Sequence, residues 1–327
     1  LPASKYKELS PYNKYLSLDN VYFLNRRKSG LHPLNIILYI KFIFFILRFR
    51  PDVIHCTSTL WGAEWLLYLF AKKMVLTVHD PFEHSGEGDF ASRKSRDIAF
   101  KHFSKLILLN DKQKHEFINH YNIPEKKVYV NSLGVYDCLR VTETNTGFAP
   151  KDRYILFFGR ISPYKGIDVL CEAMKYVHEE IPDLHCVIAG GGKLYFDYTP
   201  YEHLPYMHLM NRFIETPELG ELIRESIFTV CPYKDATQSG VVFSSLAYNK
   251  PIIASNVGAL SDAVIDGKTG ILVEPNNPEA LAKSIIQLAG QKEILHKMSE
   301  SIDSIFKTGN SSWEVIANKY IEIYKAK

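Results

Sequence analysis

Apolar runs of five to seven residues recur along this 327-residue chain, and between them lie stretches in which apolar and polar residues alternate with a helical period. No other feature restricts the fold so much. A strand buried on both faces reads as an unbroken apolar run, and successive parallel strands need a crossover, usually a helix. The pattern therefore predicts an α/β chain with parallel sheets covered by helices on both faces. In the first half, strands are expected at VYFLNR from Val21, DVIHCT from Asp52, MVLTVHD from Met74, KLILLN from Lys105 and KVYVNS from Lys127. In the second half they are expected at YILFFGR from Tyr154, HCVIAG from His185, HLMNRFI from His208, IFTVCPY from Ile227, PIIASN from Pro251 and GILVEP from Gly270.

Between the halves, TETNTGFAPKD from Thr142 breaks the pattern with the Gly, Pro and Thr content of a linker. The expected organisation is a Rossmann-like domain over 1–148, a second over 149–310, and a last helix over 311–327 that crosses back to the first domain. Ser311, with Glu314 three residues later, would cap that helix. Two such domains facing across a cleft would bind a ligand between them, at the carboxyl ends of strands.

Hydrophobic residues make up 46% of the chain and charged residues 23%, enough for two packed cores. The net charge of +3 gives no reason to expect nucleic acid, but it is unevenly spread. Residues 1–150 hold 21 Lys and Arg against 14 Asp and Glu, and the remainder 18 against 22, so an anionic surface such as a membrane leaflet would be met by the first half. Cys56, Cys138, Cys171, Cys186 and Cys231 are odd in number and contain no C-x-x-C pair. This argues against a disulfide framework or zinc site and suits buried thiols in a reducing cytoplasm.

The opening LPASKYKELS lacks the apolar core of a signal peptide. LNIILYIKFIFFILRFR, over 34–50, is apolar on nearly every side except at Lys41. As a helix it would be roughly 24 Å long, short of the ~30 Å hydrocarbon core of a bilayer. A helix apolar all round is expected to be buried in a core; docking on an anionic leaflet is the alternative, since Arg26, Arg27, Lys28, Arg48 and Arg50 flank it.

In GRISPYKGIDVLCEAMKYV a strand ends at Gly159 and Arg160, a Pro-containing turn follows, and Lys165 and Gly166 open a helix. Two cations and a helix N-terminus at one point beyond a strand suit a diphosphate, although basic residues at such a turn also occur as plain solvated surface. At these residues the chain resembles the retaining, nucleotide-sugar-dependent glycosyltransferases of the GT-B fold, family four. The resemblance continues through VIAGGGK at Val187, NRFIETPELGELIRES at Asn211 and NKPIIASNVGALSDAVIDGKTGILVEP at Asn249. It also takes in RPDVIHCTS at Arg50, VLTVHDPFEHSGE at Val75 and VYVNSLGVYD at Val128, and so covers nearly all of the chain.

The resemblance implies a UDP- or GDP-linked sugar as donor, with no separate cofactor and no metal. Arg160 and Lys165 would neutralise the diphosphate, on which charge builds as it leaves, and His79 would reach the donor sugar. Gly159, Ile214, Gln238, Ser239, Gly240, Val241 and Ser244 would bind the rest of the donor, Ile214 through its backbone at the nucleobase and Gly240 and Val241 through N–H groups at the phosphates. The sequence has no Asp-x-Asp motif. His79 as a mere turn cap, or a metal site from His79, Asp80, Glu83, His84 and Glu87, are the other readings of HDPFEHSGE. The family's preferred mechanism is a same-face displacement; a double displacement would need a carboxylate from Asp80 or Asp235. The implied role is transfer of a hexosyl-type residue to a glycan or lipid-linked acceptor in cell-surface polysaccharide assembly; the basic first half and its apolar helix add the expectation of a cytoplasmic protein peripheral to the inner face of the membrane.

Two departures stand out. The family's paired glutamates fall on Ala236 and Ser244, which cannot ionise. Neutral polar groups, Thr237, Gln238 and Ser239, surround the first position, and Ser244 keeps a hydroxyl for a ribose. The family's first strand and glycine-rich turn are not found before Val21, so a first βα unit is expected to be absent. These departures leave a noncatalytic GT-B scaffold or partner subunit, and an epimerase or phosphorylase of the same fold, as alternatives.

Overall fold

A computed structural model describes residues 12, 21–22, 24–25, 27, 32–82, 90–143, 145–235, 239–258 and 260–326. The chain forms two compact units, Leu1–Ser132 with Ala317–Lys327, and Leu133–Ile316.

The first unit is built on a four-stranded parallel sheet, β1 (Ile54–Cys56), β2 (Met74–Val78), β3 (Lys105–Leu108) and β4 (Val128–Val130), in that spatial order. All five residues of β2 are buried. Successive side chains of a strand point to opposite faces. Met74, Leu76 and Val78 accordingly pack with Leu106, Leu108, Phe100, Phe103 and Phe117, whereas Val75 packs with Ile107 and Ile323 in a separate cluster. Both faces being covered, the run needs no polar alternation.

The helices of this unit are α1 (Pro33–Phe49), a 3-10 helix (Gly62–Lys73), α2 (Phe90–His102) and α3 (Lys114–Tyr121). Pro33 opens α1, where a backbone N–H would have no helical partner anyway. His32 Nδ1 accepts the Leu34 N–H at 3.2 Å. The helix stops at Arg50, whose φ of 51° is left-handed and whose N–H reaches the Ile46 carbonyl at 2.8 Å; Pro51 follows. Among the described residues no helix is long and apolar enough to cross a membrane.

Three expectations are corrected in detail. Val21, Tyr22, Leu24, Asn25 and Arg27 lie in no strand. The Arg27 backbone is held by the Asn35 amide instead, N–H to Oδ1 at 2.8 Å and Nδ2 to the carbonyl at 3.2 Å, so a side chain supplies the partners a ladder would. α1 is not enclosed, since Phe44 and Phe49 are 67% and 70% exposed. Nor are all the thiols buried: Cys171, Cys186 and Cys231 are, Cys56 is half-buried and Cys138 is exposed. The expected loss of a first βα unit concerns residues before Val21, nearly all outside those described.

The second unit holds a six-stranded parallel sheet of β5 (Tyr154–Phe158), β6 (His185–Ala189), β7 (Met207–Met210), β8 (Thr229–Cys231), β9 (Ile252–Ser255) and β10 (Gly270–Val273). Its spatial order is β10-β9-β8-β5-β6-β7. The chain thus builds outward from β5 to β7, then returns to β8 and builds the other way, which makes the β5/β8 boundary a topological switch point. Its helices are α4 (Ile167–Glu180), α5 (Thr199–Glu202), α6 (Thr216–Glu225), α7 (Gly240–Ala247), α8 (Leu260–Ala263), α9 (Pro278–Ala289) and α10 (Lys292–Ile302). In α4, Ile167, Leu170, Cys171, Met174 and Val177 are buried, the stripe expected of a helix lying on a sheet.

The stretch read as a linker belongs to this second unit. The Thr146 N–H and hydroxyl both donate to Glu221 Oε2 at 2.5 Å, and the Ala149 N–H donates to Oε1 at 3.2 Å. Burial pushes the Glu221 carboxyl up, but the hydrogen bonds from Thr146, Ala149 and Phe148 outweigh it and leave it below its ordinary value. The last helix, α11 (Trp313–Lys325), is shared. Within the second unit Trp313 Nε1 donates to the Val135 carbonyl at 2.7 Å. Within the first, Lys105 Nζ donates to the carbonyls of Ile323, Tyr324 and Ala326 at 2.7, 3.0 and 2.5 Å, a cation placed where helix carbonyls lack partners.

Candidate functional site

The loops that leave the carboxyl ends of β5, β6, β7 and β8 converge in the second unit. The β5 loop lies backbone to backbone on the β6 loop, with Gly159 N–H on the Ala189 carbonyl at 2.9 Å and Ile161 N–H on the Gly191 carbonyl at 3.0 Å. A Cβ at Gly190 would stand 2.0 Å from the Gly159 carbonyl oxygen, so only glycine permits this approach. On the other side the Lys234 N–H donates to the Tyr164 carbonyl at 2.7 Å. Gly166, at φ +65°, would with a Cβ meet the Pro232 carbonyl oxygen at 1.9 Å. The β7 loop joins through Asn211, whose Oδ1 accepts the Gly192 N–H at 3.1 Å. The β5 and β8 loops therefore meet at the switch point, the position at which open α/β sheets bind ligands.

Lys165 ends the 3-10 turn Pro163–Lys165 and is only 7% exposed. Its Nζ donates to the Tyr233 hydroxyl at 2.7 Å and lies 4.4 Å from the centroid of the Tyr233 ring. The Tyr233 hydroxyl is in turn 3.0 Å from Ser239 Oγ. Burial, ahead of the nearby Cys231, pushes the Tyr233 phenol well above its ordinary value, so it stays neutral, accepting from the ammonium and keeping a proton to donate. Ser239 stands at the N-cap of α7 but does not use its side chain to cap it, and the first turn contains no acidic residue. The amino end of α7 carries the partial positive charge of a helix N-terminus, which suits an anion. A Cβ at Gly159 would lie 3.3 Å from Val241 and 3.4 Å from Lys165 Nζ, which measures how closely these candidates sit.

Arg160 is exposed, directly after Gly159. Ile214 is in the core at 9% exposure, in the loop between β7 and α6, so what it offers a ligand is backbone. Gly240 is exposed at the start of α7, beside the Tyr136 ring. Ser244 is buried and its hydroxyl donates to the Gly240 carbonyl at 2.8 Å, leaving only its lone pairs to accept from a ribose. Gln238 lies outside the described residues, as do Ala236 and Thr237.

In the first unit His79 and Asp80 are exposed just beyond β2. They line a cavity of about 200 Å³ with Thr57, Ser58, Thr59 and Arg96. Glu83, His84 and Glu87 of the alternative metal reading are outside the described residues; among those described, no three His, Cys, Asp or Glu side chains are grouped to hold a metal.

Sequence reasoning missed Tyr233 and Asp168. Asp168 Oδ2 pairs with Lys234 Nζ at 2.5 Å, and its Oδ1 accepts the Tyr195 hydroxyl at 2.7 Å, which ties the first turn of α4 to the β6 and β8 loops. The Tyr in IFTVCPY, two residues past the strand and directly before a basic residue, was the available signal.

Residues 142–304 match the family model described as glycosyl transferases group 1, and residues 4–137 the model described as glycosyltransferase family 4. An uncharacterized glycosyltransferase of Methanocaldococcus jannaschii is 31% identical over 173 residues, 52% of this chain. The match spans about half of that relative's own length, 47%. A D-inositol 3-phosphate glycosyltransferase of Corynebacterium glutamicum is 27% identical over 301 residues, covering 84% of this chain and 72% of the relative. Among solved structures, Anabaena HepE in complex with UDP-glucose superposes with a TM-score of 0.67 at 15% identity, over 90% of this chain and 84% of that one. At that identity the likeness speaks for the fold, two parallel-sheet α/β domains of GT-B type.

Proposed function

Because residues 142–304 belong to the glycosyl transferases group 1 family and residues 4–137 to glycosyltransferase family 4, we propose that the chain transfers a hexosyl-type residue from a UDP- or GDP-linked sugar to a glycan or lipid-linked acceptor. The reaction proceeds with retention and without a metal, in cell-surface polysaccharide assembly on the cytoplasmic face of a membrane. The observation that carries this reading is the buried Lys165 ammonium, held on Tyr233 beside the amino end of α7 at the switch point of the second sheet.

The chemistry follows from charge. As the bond between the sugar's anomeric carbon and the donor phosphate breaks, its electron pair goes to the phosphate oxygen. Lys165, Arg160 and the N–H groups of Gly240 and Val241 stabilise the charge that appears there, and because they are fixed beforehand no reorganisation is needed. The acceptor hydroxyl oxygen bonds to the anomeric carbon on the same face, and its proton passes to the departing phosphate. No protein nucleophile is required, which accords with neutral Ala236 and Ser244 where the family has glutamates. His79 acts on the donor sugar.

Isothermal titration with UDP, GDP and their sugars tests the donor site. Binding of one nucleotide series is expected, unaltered by EDTA, and Arg160→Ala with Lys165→Ala should weaken it by about a hundredfold. His79→Ala should lower turnover by about a hundredfold with nucleotide affinity unchanged. Failure to bind any of these nucleotides, or an unweakened double variant, overturns the reading.

A further inference from the structure

We infer that the outward face of α1, with the 3-10 helix packed beside it, is a docking surface for an anionic lipid bilayer. A helix on the surface of a water-facing domain turns polar residues outward. α1 turns apolar ones outward. Asn35, Tyr39 and Ile46 are its buried residues, whereas Ile37, Ile40, Phe44 and Leu47 are 51%, 43%, 67% and 54% exposed. Steps of three and four residues put these four on one stripe. Lys41 and Arg48 are exposed as well, and α1 contains no acidic residue.

The neighbouring 3-10 helix extends the same character, with Leu69 75% exposed and Lys72 and Lys73 in its last turn. Two hydrogen bonds tie this part of the chain together. The Tyr39 hydroxyl donates to Glu64 Oε1 at 2.9 Å, and Lys73 Nζ donates to the Pro51 carbonyl at 2.8 Å. Glu64 is the single acidic residue of the pair, and its other oxygen accepts the Trp61 N–H at 2.9 Å. Apart from Glu64, whose oxygens accept the Tyr39 and Trp61 bonds, the charges on the two helices are positive.

Charge complementarity selects the occupant. A two-fold contact with a second copy would bring Lys41 and Arg48 against their own kind or near it. An anionic leaflet meets both demands, its phosphates drawing the cations and its acyl boundary taking Ile37, Ile40, Phe44 and Leu47. Lys41 and Arg48, set within the apolar stripe, can extend their stems along it and keep their charges at the headgroups. The helix lies in the plane of the surface.

The docking face rests on the membrane placement proposed above and not on the donor site, so nucleotide binding measured on the same samples can fail independently. The test is co-sedimentation of the full chain with phosphatidylcholine vesicles and with vesicles containing phosphatidylglycerol, beside sedimentation velocity without lipid. Partition onto the anionic vesicles alone, weakened by salt, is expected. Phe44→Asp with Leu47→Asp should reduce it about tenfold or more, with a thermal melt matching the parent's. Lys41→Glu with Arg48→Glu, which keeps the apolar stripe, should remove the preference for anionic lipid. No partition of the parent, unchanged partition of both double variants, or a dimer that the aspartate pair dissociates would overturn the inference.

Discussion

The Lys165 ammonium and the Tyr233 hydroxyl are 2.7 Å apart, both side chains buried, across a gap of 68 residues in sequence. This contact fixes where the charge of the β5 loop stands relative to the start of α7, because Tyr233 also reaches Ser239 at 3.0 Å. A neutral phenol accepts from the ammonium without cancelling its charge, as a carboxylate would.

Removing the charge and removing its support should therefore differ. Lys165→Ala takes away the cation and is expected to weaken nucleotide binding strongly. Tyr233→Phe keeps the ring under the ammonium but loses hydrogen bonds to a charged group, worth about 1.5–3 kcal/mol, and should cost about tenfold in affinity. Calorimetric titration of both variants with UDP or GDP separates the cases. Parent-like affinity of Tyr233→Phe beside a crippled Lys165→Ala would show that Tyr233 positions nothing.

Two glycines with nearly the same backbone test whether the β5 and β8 loops depend on contact. Gly166 and Gly267 have φ of +65° and +72°, but an added Cβ meets the Pro232 carbonyl oxygen at 1.9 Å in the first and nothing within 4 Å in the second. Both alanine substitutions carry the left-handed penalty of about 1–2 kcal/mol. Only Gly166→Ala adds an overlap costing about 1–3 kcal/mol more. Thermal unfolding should show a shift of a few degrees for Gly267→Ala and about twice that for Gly166→Ala; equal shifts would mean that the loops part at no cost.

His55 predicts how the first unit responds to acid. Its Nδ1 takes the Tyr324 hydroxyl at 2.6 Å and its Nε2 meets Thr77 Oγ1 at 2.7 Å. The Tyr320 ring lies beside it, tilted by 43°, and His79 is near enough to repel a second charge. Burial first, and His79 second, hold the imidazole below its ordinary value of 6.5. With the folded value below the unfolded one, the unfolded chain takes up the proton first. Stability from this group is thus complete above about pH 6.5 and is lost as pH falls from there toward the lowered folded value. Hydrogen exchange in 317–326, compared between pH 8 and pH 5, should quicken in the parent beyond its intrinsic pH dependence, and less so in His55→Gln. Equal acid sensitivity of the two proteins would exclude His55 as the cause.

Strands such as β2, β5, β8 and β9 could be read because every residue in them is buried, so their sequences lack the polar alternation of a half-exposed strand. Gly159, Arg160 and Lys165 were legible as a turn beyond a strand. Their neighbours were not. Tyr233 reads as one aromatic residue among 20 tyrosines, and only the return of β8 alongside β5 brings it to Lys165. The segment from Val21 looked like a strand, yet the Asn35 amide serves the Arg27 backbone instead.

What the amino-acid sequence alone determined is the local grammar: parallel strands, crossover helices, glycine turns and a cationic loop, all set by residue type within a few positions of one another. The spatial order β10-β9-β8-β5-β6-β7, the meeting of Lys165 with Tyr233 and the side of α1 left bare were decided only by the tertiary structure. Burial is why. Strand order depends on which faces cover one another across long stretches of chain, and a helix apolar all round carries no periodicity to say which side its neighbours will take.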